Sequence, residues 1–372
     1  MKLFECTNCG QLLQFENTRC EKCGHKLGFL AETLELYPLV ESQGNVFTLF
    51  NEPAGRKFRY CDNHAYDVCN WLVNDSRSDR YCEACALNQT IPNLSEQEHR
   101  QRWRVIEAAK HRLVYSLLRM KLPVISKAAD PEHGLLFDFM ADEQNSEQRI
   151  LTGHDDGLIT LNVAEADDVE REMARRSMAE PYRTVLGHFR HEVGHYYWNS
   201  LINGTDNLEP YRKLFGDERA DYGESLKHHY KEGAPADWHQ RFISAYASTH
   251  PWEDWAETWA HYLHIIDTLE AAYSFGLSIN PGIVQNAPGL STVIKADPYR
   301  LENFSDIISM WLPLVFAMNS INRSMGMPDL YPFVIPPVVI EKLRFIHAVC
   351  FRSRQQVEKE ENSLHNEKLA SA

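Results

Sequence analysis

Residues 188 to 198 read HFRHEVGHYYW and contain His191, Glu192 and His195 in the spacing HExxH. On an α-helix residues four apart lie one turn above each other, so His191 and His195 can present two imidazoles to one metal ion with Glu192 beside them. A zinc ion held by neutral nitrogens with one open position lowers the pKa of its bound water towards about 7. The neighbouring carboxylate can take that proton as the water attacks a carbonyl. The flanks, YRTVLGHFRHEVGHYYW, are apolar or aromatic on nearly every side, which predicts a central buried helix. Two histidines and a glutamate on such a helix are costly unless something pairs them. His188, one turn earlier, reads as support for the site or as a bystander.

A catalytic zinc needs a third protein ligand from a later segment, and two segments offer one. In PWEDWAETWAHYLH, residues 251 to 264, Trp252, Trp255, Ala256, Trp259 and Leu263 form an apolar stripe, with Glu253, Glu257, His261 and His264 on a second stripe. Carboxylates at positions i and i+4 can serve as ligand and as the support of a ligand. The other segment is FGDERADYGESL, where Glu218 lies 23 residues after His195 and Asp221 follows on the same face.

Eight of the nine cysteines crowd into the first 85 residues. Cys6 and Cys9 form one CxxC and Cys20 and Cys23 another, each followed by a glycine, Gly10 or Gly24, where a zinc knuckle turns its backbone towards the sulfurs. Four thiolates in that spacing fit one closed tetrahedral zinc. Cys61, Cys69, Cys82 and Cys85 form a looser second set, in which His64 could replace one thiolate. Closed four-ligand sites leave no position for water, so these two are expected to fold the block rather than to catalyse.

The elements that must position these groups follow from pattern. Residues 1 to 94 read as short strands and knuckles. From Glu96, apolar Trp103, Ile106, Leu113, Leu117 and Met120 recur at helical steps until Leu122-Pro123. Two apolar runs, Leu135 to Met140 and Gly157 to Val163, can pair as strands. From Glu165 the chain reads as mostly helical, with breaks at Pro210, Gly233 to Pro235, Pro251, Asn280-Pro281, Pro288 and Pro328 to Pro337. Residues 353 to 372 are charged, lack an apolar face and read as a flexible tail. The chain of 372 residues has a formal net charge of -14, which sets it against nucleic acid and anionic membranes as partners. With cysteines where a secretory signal would need an apolar run, and no long apolar stretch, a cytoplasmic location is expected.

Two resemblances sharpen this reading. The stretch from Tyr246 to His264 resembles the corresponding part of the lethal factor type of zinc peptidase and, more loosely, the bacterial MtfA-like peptidases, in which a Glu followed by an aromatic pair and Ala supplies the third ligand. Glu253-Asp254-Trp255-Ala256-Glu257 follows that pattern, with Asp254 in place of one aromatic residue. The resemblance implies Glu253 as the ligand, with Glu218 as the thermolysin-like alternative. It also implies that Tyr246, seven residues before Glu253, steadies the transition state. Over residues 3 to 275 the chain resembles a bacterial family of zinc-binding metallopeptidases with an N-terminal zinc ribbon. CTNCGQLLQFENTRCEKCGHKLGF, CNWLV, LTGHDDGLITLN, EADD, the HExxH segment, FGDERADY and HPWEDWAETWAHYLH carry that likeness.

The expected architecture is therefore α+β. A zinc-ribbon region spans residues 1–94, a mainly α-helical, zincin-like metallopeptidase domain with a small sheet spans 95–352, and a charged tail spans 353–372. The expected cofactors are one catalytic and one to two structural zinc ions. The expected partner is a peptide or protein substrate, which Gly157 to Val163 could bind as an edge strand by main-chain pairing. The rival expectation is a non-catalytic adaptor that binds a protein partner, in which Glu218 or Glu257 closes the helix site as a fourth ligand.

Overall fold

The computed structural model describes residues 1–52, 55–142, 150, 152–177, 184–282 and 289–370. Tyr182 and Arg183 of the motif quoted above, and the expected break at Pro288, lie outside them. The chain forms two compact units, one of Met1–Arg119 with Pro123–Phe189 and one of Met120–Leu122 with Arg190–Ala372. The change of composition near residue 94 falls inside the first unit.

In the first unit, β1 (Phe4–Glu5) and β2 (Leu12–Leu13) form a small hairpin. Strands β3 (Leu27–Leu30), β4 (Glu35–Glu41), β5 (Phe47–Leu49), β6 (Lys57–Tyr60) and β7 (Leu72–Asn74) follow as an antiparallel meander. Leu30, Leu39, Phe47, Leu49, Phe58 and Leu72 close its core. After β8 (Asn88–Thr90) comes helix α1 (Gln97–Arg119), which buries Trp103, Ile106, Leu113 and Leu117, the residues whose spacing predicts it. Its Tyr115 ring packs 5.5 Å from Phe15 of the ribbon region.

Strands β9 (Leu136–Met140), β10 (Gly153–Asp155) and β11 (Leu158–Asn162) join β8 in a second sheet of order β10-β11-β9-β8. The two apolar runs do pair, in parallel. Expected as an edge, β11 is instead an inner strand. The Asp156-Gly157 turn folds β10 back along its free side, pairing Asp155 with Leu158 across a two-residue connection. Both sides of its backbone are therefore used, and the sheet ends at β10 and β8. Helix α2 (Asp168–Ser177) follows.

Helix α3 (Val185–Leu201) starts in the first unit and carries the chain into the second. There α4 (Leu208–Phe215), α5 (Tyr222–Glu232) and α6 (Pro251–Ser274) precede a short ribbon of β12 (Ser278–Ile279) and β13 (Thr292–Val293), then α7 (Phe304–Ser324) and α8 (Pro337–Ala370). Two of the expected breaks are helix starts. Pro210 sits in the first turn of α4 and Pro251 opens α6, positions where a missing N–H costs no helical bond. The stretch from Ser353, read as a tail, continues α8 as far as Ala370. Side-chain pairs along the helix, such as Arg354 Nε with Glu358 at 2.9 Å, support it where an apolar face is lacking. Helix α7 is long and apolar enough to cross a membrane by length and composition; 39% of its apolar window is buried, Ile307, Trp311 and Leu314 included.

Candidate metal centres

Helices α3 and α6 cross closely. A Cβ on Gly194 would stand 3.0 Å from the Ala256 Cα, the Trp255 indole N–H donates to the Gly194 carbonyl at 2.8 Å, and Tyr197 stacks on Trp259. This crossing turns the HExxH histidines towards the first turn of α6, which Pro251 opens and His250 caps by accepting from the Trp252 N–H. His191 Nε2 lies 3.1 Å from Glu253 Oε2, and His195 Nε2 lies 3.7 Å from Glu253 Oε1. One donor atom from each of the three falls within 4.8 Å of the others. Nitrogen and oxygen ligands of a tetrahedral zinc stand about 3.3 Å apart, so these three residues fit the ion. His195 and Glu253 are only 4% and 1% exposed.

The far nitrogen of His191, Nδ1, is 2.7 Å from Glu257 Oε1, and the other oxygen of Glu257 accepts from the Ser244 hydroxyl at 2.6 Å. An Nδ1–H donated to a carboxylate fixes the tautomer that leaves the Nε2 lone pair for a metal. Burial works against charge here but is outweighed by the pairing. Glu253 and Glu257 raise the His191 pKa well above its ordinary value, and His191 and His195 hold Glu253 well below its own. Glu192 is buried on α3 beside these ligands.

Tyr222 is a site residue that sequence reasoning passed over. Its hydroxyl donates to Glu253 Oε1 at 2.7 Å. No spacing rule ties it to the HExxH motif. The signal that could have found it is Asp221, which caps α5 by accepting from the Glu224 N–H and so fixes where the first residue of that helix stands. Tyr246 lies beside the same group, with its ring 6.1 Å from that of His191. Burial and the charge of Glu253 push both phenols above the usual tyrosine range.

Other candidates are engaged elsewhere. Glu218 is held in the fork of Arg212 at 2.5 and 3.0 Å, so the structure does not bring it to the histidines. Asp221 serves as a helix cap. His188 pairs with Glu165 at 2.5 Å. His261 meets the Tyr331 hydroxyl at 2.8 Å, His264 meets Arg190, and Asp254 forms a buried ion pair with Lys342 at 2.6 Å.

In the first unit, Cys6 and Cys23, and Cys9 and Cys20, stand 3.6 Å apart, and Cys69 and Cys82 stand 3.7 Å apart. Thiolates sharing a tetrahedral zinc are about 3.8 Å apart, against about 2.05 Å in a disulfide. Both sets of four therefore fit a metal. Gly10 and Gly24 take positive φ of 71° and 76°, as the knuckle turns require. The Cys82 N–H points at Cys61 Sγ and the Trp71 N–H at Cys69 Sγ, each at 3.4 Å. His64 does not replace a thiolate: it stacks on Tyr60, and its Nδ1 bonds the Cys69 carbonyl at 2.7 Å.

Two four-cysteine clusters ahead of a helical region with a His-His-Glu cluster are the candidate metal sites of a zinc-binding protein. Family comparison agrees: the profile described as "Putative zinc-binding metallo-peptidase" matches residues 99–349, a zinc-ribbon domain matches residues 3–96, and the chain belongs to this metallopeptidase family. An uncharacterized protein of Mycobacterium bovis and one of Mycobacterium tuberculosis are each 42% identical to it over 350 residues, covering 94% of this chain and 95% of theirs. No solved structure matches.

Proposed function

We propose that the chain is a zinc-dependent endopeptidase of zincin type, acting in the cytoplasm on peptide or protein substrates. The observation that carries this reading is the convergence of His191, His195 and Glu253 within 4.8 Å, with Glu192 next in sequence to the first of them. A zinc ion bound there supplies a water of lowered pKa and a Lewis acid for the scissile carbonyl. Glu192 takes the proton of the attacking water and passes it to the leaving amine. Tyr246 donates its hydroxyl hydrogen to the developing oxyanion, for which a phenol held in its neutral form is suited. Tyr222 holds one oxygen of Glu253, so that the carboxylate offers its other oxygen to the metal.

A non-catalytic adaptor would need a fourth protein ligand. Glu218 in the Arg212 fork and Glu257 on the far side of the His191 ring favour an open position instead. The test is hydrolysis of an unfolded protein substrate by the full chain. Cleavage lost on chelation and restored by zinc is expected, and an inert protein with a loaded helix site would favour the adaptor.

A further inference from the structure

The segment between α5 and α6 meets the His191 side of the metal group through one hydroxyl. Ser244 is 7% exposed, and its Oγ donates to Glu257 Oε2 at 2.6 Å while accepting from the Ala247 N–H at 3.0 Å. A backbone N–H only donates and an ionised carboxylate only accepts, so the single hydroxyl proton lies on the Glu257 side. The other Glu257 oxygen stands 2.7 Å from His191 Nδ1, and Nε2 of the same ring faces Glu253. Ala247 and Tyr246 belong to one short turn, Tyr246–Ser248. A hydroxyl that accepts from the N–H three residues on caps such a turn. The phenol that would meet the oxyanion and the imidazole that would hold the metal thus hang from opposite ends of one hydrogen-bonded chain.

The same segment has a second tie further back. Lys342 Nζ donates to the Arg241 carbonyl at 2.8 Å and to Asp254 at 2.6 Å, with the Phe242 ring 4.5 Å away. The segment is therefore fastened to α6 at Asp254 and at Glu257, one and four residues beyond Glu253. The Lys342 tie fixes where it starts, and the Ser244 tie fixes how the turn beyond it meets His191.

We propose that Ser244 is a positioning residue of the helix site: its hydroxyl couples the turn that carries Tyr246 to the carboxylate that orients His191. The half that concerns Tyr246 rests on the peptidase reading, whereas the half that concerns His191 needs only metal binding. Loss of the hydroxyl takes a donor from Glu257, which then presents His191 less firmly, and it unties the turn that holds Tyr246 in place. An interaction used in the transition state rather than in substrate binding shows in kcat and not in KM.

The test uses the full chain carrying Ser244→Ala, alone and combined with Glu257→Ala or with Tyr246→Phe. Zinc affinity at the helix site is measured by chelator competition, with zinc at the cysteine sites as the check that each variant folds. Ser244→Ala is expected to weaken it about 10-fold, the lower end for groups that orient a ligand, and to weaken it no further once Glu257 is alanine. On labelled casein, an unfolded protein, Ser244→Ala should lower kcat about 10-fold with KM changed less than about twofold. In the Tyr246→Phe background the same change should cost no more kcat. Wild-type zinc affinity in Ser244→Ala, or an equal zinc loss with and without Glu257, would overturn the proposal. So would a kcat loss undiminished in the Tyr246→Phe background. A wild type that does not cleave casein overturns the Tyr246 half together with the peptidase reading, and the zinc measurements alone then decide the His191 half.

Discussion

Glu257 Oε1 stands 2.7 Å from His191 Nδ1, one helical turn beyond Glu253, whose Oε2 stands 3.1 Å from Nε2 of the same ring. The two carboxylates of α6 thus grip one imidazole from opposite sides. Glu253 faces the nitrogen that a metal would share, and Glu257 fixes how that nitrogen is presented. Carboxylates at positions i and i+4 on a helix deliver this arrangement only because α3 crosses α6 at Gly194.

Glu257→Gln keeps the size of the side chain but removes the charge that orients His191. The variant should fold, and its zinc affinity at the helix site should fall about 10- to 100-fold, measured by chelator competition. Cysteine-site zinc serves as the internal reference and should not change.

Acid should weaken zinc binding at the helix site. Glu253 and Glu257 raise the His191 pKa in the metal-free chain, so zinc must displace a proton there, and its apparent affinity declines as pH falls. The same shift has the opposite sign for stability of the stripped protein. A raised histidine pKa contributes stability that is fully present below the ordinary histidine value and is lost as pH rises through the folded value. Zinc per chain between about pH 8 and pH 5.5 should fall by about one equivalent, while the stripped protein gains thermal stability over the same descent.

Gly194→Ala places a methyl group 3.0 Å from the Ala256 Cα, a backbone atom that cannot turn aside. Helix propensity favours alanine by about 1 kcal/mol, but separating the helices costs more, about 1–3 kcal/mol. Denaturant unfolding should show net destabilisation, accompanied by weaker zinc binding because the histidines move away from Glu253.

Lys342 and Asp254 are buried together at 2.6 Å, next in sequence to the candidate ligand Glu253. Lys342→Met leaves a buried carboxylate without its partner and should cost about 3–5 kcal/mol. Adding Asp254→Leu should recover most of that loss, as judged by the unfolding midpoint.

Much of this was legible in the sequence because it rests on local spacing. The CxxC knuckles, the HExxH pair and the Glu253–Glu257 turn of α6 are each set within a few residues, and α1 follows from its apolar period. What the sequence hid depends on contacts between distant segments. Tyr222 reaches Glu253 through the placement of α5, and His111 reaches Cys85 through the packing of α1 on the ribbon. Strand β11 looked like an edge because nothing in its own residues shows that β10 returns along it. The charged end of α8 lacks an apolar face, and its helicity is supported by pairs such as Lys121 with Glu361 at 2.7 Å, 240 residues apart.

The most direct test of the catalytic reading is Glu192→Gln in the full chain, with zinc content and cleavage of an unfolded protein substrate measured on the same preparation. The account predicts wild-type zinc with cleavage reduced at least about 100-fold, the scale of general-base catalysis. Unchanged cleavage at full zinc occupancy would contradict it.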